Sequence, residues 1–96
     1  MPSLTNIIAI FLVAEKLKDK GASFSLENYA WFELPLPKER GKSAVNKLKD
    51  LDVYVTYRRG KLKISGSIDN VAEAVARLVK FDPISIARNV VSKISQ

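Results

Sequence analysis

The sequence predicts an α+β fold: a small helical domain of about five helices carrying one two-stranded antiparallel β-hairpin. Three observations lead there. Apolar residues recur at helical spacing near both ends of the chain, as in Leu4, Ile7, Ile8, Phe11 and Leu12. One stretch near the middle, 53–66, alternates apolar and polar residues about a Gly-containing turn, the pattern of paired strands. A length of 96 residues at 47% apolar content suits one domain with one core.

The first helix is expected over 4–20, capped by Ser3 or Thr5 and stopped at Gly21. Ile10 and Val13 widen its apolar stripe, so it is expected to be the central helix. A short second helix is expected over 26–32, with Ser25 as cap and Phe24 meeting Tyr29 as a hydrophobic staple. Phe24, Tyr29, Trp31 and Phe32 are half of the chain's aromatics, and their expected role is core packing, with base stacking as the rival. Leu34-Pro35-Leu36-Pro37 is expected to break regular structure, because each proline pushes the residue before it into an extended conformation.

A third helix is expected over 38–51, with Ala44, Val45, Leu48 and Leu51 as its only apolar stripe. Gly41 inside it costs roughly 1 kcal/mol relative to Ala, which allows a start nearer Lys42. In the hairpin, a two-residue loop at Arg59-Gly60 pairs Tyr57 with Leu62 and Val55 with Ile64; a slip by one would set lysines against valines. Its outer face is then Tyr54, Thr56, Arg58, Lys61, Lys63 and Ser65, although Arg-Gly is not the preferred pair for the type I′ turn. Ser67 or Asp69 opens a fourth helix over 68–81, and Asp82-Pro83 a fifth over 83–94. The stripe Ala87, Val91 and Ile94 of the last helix has two readings: completion of the core, or a seam to a second copy or a larger complex.

Charge is the most informative feature for function. Between Lys38 and Lys63 stand nine basic and three acidic side chains, the whole of the chain's +6; the remaining residues hold seven of each sign. Such a face attracts polyanions, above all a phosphate backbone. There is no histidine and no cysteine, which removes Ser-His-Asp chemistry, thiolate metal sites and disulfides. The four glycines are scattered and form no phosphate loop. Asp69 and Glu73 read as a capping acid and a surface acid, not a metal pair. No enzyme activity, cofactor or metal is therefore expected. The longest apolar run, Ile7 to Ala14, falls far short of the roughly 20 residues that cross a bilayer, so a cytoplasmic protein without a membrane partner is expected. One methionine and one glutamine hint at a heat-adapted source, a hint that five asparagines weaken.

The candidate contact residues are Arg40, Lys42, Ser43, Asn46, Lys47 and Lys49 on the third helix and Arg58, Arg59, Lys61 and Lys63 on the hairpin, with Tyr54 as a stacking candidate. Asn46 alone has the amide geometry that reads adenine. The alternative is a solvated helix face and a strand edge guarded by lysines. In its order of elements, from the first helix through the short segment 26–32 and the Lys42–Leu48 helix to the hairpin, the chain resembles the winged-helix family. That resemblance implies a recognition helix carrying Ser43, Asn46, Lys47 and Lys49 and a wing tip of Arg58, Arg59 and Lys61 on the backbone of duplex DNA. The expected function is nucleic-acid binding, DNA before RNA, in a regulatory or chromatin-type role. The rival is a small non-catalytic subunit of a larger ribonucleoprotein or protein complex, of the general character of small helical subunits of archaeal CRISPR interference complexes.

Overall fold

The computed structural model describes residues 2–95. In chain order these form α1 (Leu4–Lys16), a 3-10 turn (Lys18–Lys20), β1 (Ser23–Leu26), β2 (Ala30–Pro35), α2 (Lys38–Lys47), β3 (Tyr54–Arg58), β4 (Lys61–Gly66), α3 (Ile68–Ala76) and α4 (Pro83–Ile94). The four strands make one antiparallel sheet in the order β1-β2-β4-β3. This corrects the expected fold class. Among the described residues there are four α-helices, not about five, and a four-stranded sheet replaces the lone winged-helix-like hairpin.

The correction lies in residues 23–35. Where a helix over 26–32 was expected, the chain makes a hairpin that pairs Phe24 with Phe32 and Leu26 with Ala30. Along β2 burial alternates strictly, with Ala30, Phe32 and Leu34 inside and Trp31, Glu33 and Pro35 on the other side. Ser25 therefore caps no helix, and Phe24 meets Phe11 of α1 edge-to-face at 4.9 Å instead of stapling Tyr29. The extended bias of residues before proline also acts here, but it continues a strand through Leu34 instead of breaking one.

The hairpin β3–β4 has the register that its alternation dictates, Tyr57 opposite Leu62 and Val55 opposite Ile64. Its turn has φ 54° at Arg59 and 78° at Gly60, the two positive values of a type I′ turn. The backbone N–H of Leu36 donates to the Gly60 carbonyl at 2.9 Å, tying the tip to the segment after β2.

One sheet face is covered by helices. α3 lies on β2 and β4, α2 lies beside β3 and β4, and α1 packs against both α3 and α4. The core joins Ile10 and Val13 of α1, and Leu17 just after it, to Phe32 and Leu34 of β2, Leu62 and Ile64 of β4, and Val71 and Val75 of α3. The helix starts follow the sequence signals, with Ser3, Ser67 and Asp82 each accepting from a backbone N–H three residues on. The ends come early: α1 stops at Lys16, α2 at Lys47 and α3 at Ala76, each followed by tighter turns. Asp69 Oδ1 accepts from the Ser3 backbone N–H at 3.0 Å and from Asn6 Nδ2 at 2.9 Å, locking the N-termini of α1 and α3 side by side. Those hydrogen bonds, the Asn6 amide first, hold the Asp69 carboxyl below its ordinary range. Within α4, Ala87 is buried, Val91 half-buried and Ile94 exposed.

Gly41 has a packing reason inside α2. The Tyr57 ring lies directly over it, where any Cβ would collide with three ring atoms, and the Tyr57 hydroxyl donates to the Leu36 carbonyl at 2.6 Å. Gly41→Ala is expected to force the ring off and destabilise the fold by about 1–3 kcal/mol despite the better helix propensity of alanine. Tyr57→Phe, which keeps the ring and loses one hydrogen bond, is expected to cost about 1 kcal/mol. Urea denaturation of the two variants against wild type checks both values, and equal or greater stability of Gly41→Ala would refute the contact.

Candidate functional site

Among the described residues no helix covers the second face of the sheet, and the strand registers fix what stands on it. One cross-strand row is Ser25, Trp31, Ser65 and Tyr54; the next is Ser23, Glu33, Lys63 and Thr56; the third is Pro35, Lys61 and Arg58. Arg59 projects from the turn that closes the third row. Glu33, Tyr54, Thr56, Arg58, Arg59, Lys61, Lys63 and Ser65 together line one shallow open concavity. It gathers four cations against a single carboxylate, and that carboxylate is engaged, since Glu33 pairs with Lys61 at 3.5 Å.

Aromatic rings stand beside these charges. Tyr54 is 72% exposed, and Tyr29 in the β1–β2 turn is 57% exposed. Lys63 Nζ sits 5.3 Å from the centroid of the Trp31 ring, within cation–π reach. Ser25, Glu27, Tyr29, Trp31 and Lys63 border a second shallow depression on the same side.

The residues singled out from sequence thus divide. Tyr54, Arg58, Arg59, Lys61 and Lys63 share the open face. Those of α2 do not join them, because the side of β3 that meets α2 is that of Val55 and Tyr57, opposite Arg58. Lys42, Asn46 and Lys49 border a depression with Val45, Val55 and Tyr57. Arg40, Ser43 and Lys47 line a different groove with Lys20, Glu39 and Arg77. Arg77 is itself committed: it forks onto both Asp50 oxygens at 2.6 and 3.0 Å and donates to the Lys47 carbonyl at 2.9 Å. That fork, the hydrogen bonds before the charge, holds the Asp50 carboxyl below its ordinary range.

Glu33 is the residue of this face that the sequence did not single out, and Trp31 and Tyr29 entered only through the rival base-stacking reading of the aromatic cluster. The core role expected for the aromatic cluster holds for Phe32, which is buried, and Phe24, which packs on Phe11, but not for exposed Tyr29. The signal was the alternation of Ala30, Phe32 and Leu34 with Trp31 and Glu33, which places the tryptophan with the charges once the segment is read as a strand. Among the described residues there is no polar or charged side chain that is fully buried, no cluster of three metal-ligating side chains, and no helix long and apolar enough to cross a membrane. No family model, curated protein or solved structure matches the chain.

Arg59 is the one non-glycine among the described residues with positive φ. The left-handed region costs an L-residue with a Cβ roughly 1–2 kcal/mol, and asparagine tolerates it best. Arg59→Asn is therefore expected to stabilise the fold by roughly 0.5–1 kcal/mol, a rise of a few degrees in Tm, while removing one cation from the open face. Thermal unfolding checks the sign; a lower Tm would mean that the arginine makes contacts that outweigh its backbone strain.

Proposed function

We propose that the chain is a non-catalytic nucleic-acid-binding domain that holds phosphate groups on the open face of its sheet. The observation that carries this reading is the collection of Arg58, Arg59, Lys61 and Lys63 in one solvent-facing concavity, where the carboxylate of Glu33 is already paired. Arginine offers phosphate a planar fork and lysine a mobile point charge, and a surface with both tracks a backbone without reading bases. For a helix and wing to grip one duplex together, their basic side chains must converge. The placement of α2 on the other side of β3 favours the sheet face over the helix as the primary contact. The cations of α2 then act at longer range, raising the encounter rate with any polyanion.

Reversing Arg58, Arg59 and Lys61 together to glutamate is expected to abolish binding to nucleic acid while leaving Tm close to wild type, since all three are exposed. Reversing Lys42, Lys47 and Lys49 is expected to weaken binding by a smaller factor. Gel shifts at low and moderate salt check both. Wild-type affinity should fall steeply with salt, with a log–log slope of about −0.7 to −0.9 per phosphate contact. Survival of binding in the first variant would overturn the assignment to the sheet face.

A second reading, membership of a larger assembly, is favoured by the apolar stripe that α4 leaves in solvent. Ile86, Val90 and Ile94, spaced four apart on one side of the helix, are 43%, 37% and 67% exposed. A second copy of the chain is the occupant proposed, because an isologous pairing of two such stripes closes on itself. Light scattering is expected to give a dimer mass for wild type and a monomer mass for the variant Ile86→Lys with Ile94→Lys. A monomeric wild type at high concentration would remove this reading.

A further inference from the structure

We infer that the ligand of the open face is a single-stranded polynucleotide whose unpaired bases stack on Trp31 and Tyr54. This rests on the phosphate-binding reading of the same surface and adds the substrate class. The two rings lie in one cross-strand row, two strands apart, with only Ser65 between them. At the usual strand spacing of about 4.8 Å, their Cα atoms are separated by roughly 9–10 Å. A serine there is the small residue of the row and puts little bulk between the two rings. The next row, displaced by one pleat repeat, carries Lys63, and the third carries Arg58 beside the tip residue Arg59. Aromatic seats in one row and cations in the adjoining rows suit a strand that lays its bases on the first and its phosphates along the others.

Two features point to unpaired bases in particular. An exposed ring on an open sheet face offers its π-face, which every base can use, whereas the faces of bases in a duplex are occupied by their stacked neighbours. The Tyr54 ring is also not explained by the fold. The helix side of β3 is filled by Val55 and Tyr57 and that of β2 by Phe32 and Leu34, so Tyr54 adds nothing to the core and stands 72% exposed. Lys63, 5.3 Å over the Trp31 ring, occupies the place a base would take. On binding, the ammonium exchanges the ring for a phosphate, and the base takes the ring face.

Trp31 is the chain's sole tryptophan, so its fluorescence reports on this seat without labelling. The probes are a short oligothymidylate, the matching oligouridylate, an abasic strand with the same number of phosphates, and a hairpin duplex. Saturable quenching is expected with both base-bearing single strands, and their ratio tells DNA from RNA as the preferred source. The abasic strand and the duplex are expected to bind more weakly and to leave the emission little changed. Tyr54→Ala should weaken oligothymidylate binding roughly 5- to 100-fold, the range found for single stacking residues, while Tyr54→Phe stays within about twofold of wild type. An unchanged Tm for Tyr54→Ala would confirm that the loss is one of contact and not of folding. Equal affinity for the duplex or the abasic strand, or an unaffected Tyr54→Ala, would overturn single-strand stacking while leaving phosphate binding intact. Failure of all four polyanions to bind would overturn both.

Discussion

The antiparallel pairing of β2 with β4 is the constraint on which the rest of the molecule depends. It joins segments separated by the whole of α2 and β3, and it sets Phe32 against Ile64 and Leu34 against Leu62 at the centre of the core. β1 then folds back on β2 and β3 on β4 through short turns, so the order β1-β2-β4-β3 follows from this one long-range contact. Because side chains alternate, the same register that buries the four apolar residues places Trp31 opposite Ser65 and Glu33 opposite Lys63 on the other side. A slip of one residue would turn one of the two strands over, burying Glu33 or Lys63 and exposing Phe32 or Ile64 in its place. Core and candidate site are thus two faces of one register, and neither can change alone.

The Tyr57 clasp sets the position of α2 against that frame. The ring needs a residue without a Cβ beneath it, and its hydroxyl needs the Leu36 carbonyl just before the helix, so α2 is pinned at its start to the middle of β3. At its other end, the Arg77 fork onto Asp50 and the Lys47 carbonyl ties the turn after α2 to the end of α3. Held at both ends, α2 cannot swing its basic flanks round to the open face, and the positive charge of this segment is divided between two sides of the domain.

Much of this was legible in the sequence, and the failures share a cause. Helix starts are local, and Ser3, Ser67 and Asp82 announce them through a side chain that reaches only three residues. The β3–β4 register is nearly local, and its alternation suffices. The segment 23–35 is different. Leu26, Tyr29, Ala30 and Phe32 fit one helical face about as well as Phe24, Leu26, Ala30, Phe32 and Leu34 fit a strand side, and what decides between them is β4, about thirty residues away. The hairpin cations and Tyr54 could therefore be placed from sequence, but Trp31 could not, because its side depends on a partner strand that periodicity does not reveal.

The open face also breaks local rules that the rest of the fold obeys. Elsewhere the N-caps of α1, α3 and α4 are filled, and apolar alternation matches burial along β2 and β4. On the open face an arginine occupies a left-handed turn position, a tyrosine stands in solvent, and four cations crowd two neighbouring strands with one carboxylate among them. Each departure lowers stability: strain at Arg59, repulsion among Arg58, Arg59, Lys61 and Lys63, and unburied ring surface at Tyr54. Asparagine in the turn and threonines in place of the lysines would make a quieter sheet. A polyanion carrying unpaired bases would relieve two of these at once, by neutralising the repulsion and covering the ring. Three such departures gathered on one surface are what the proposed binding role would impose on the strands that bear it.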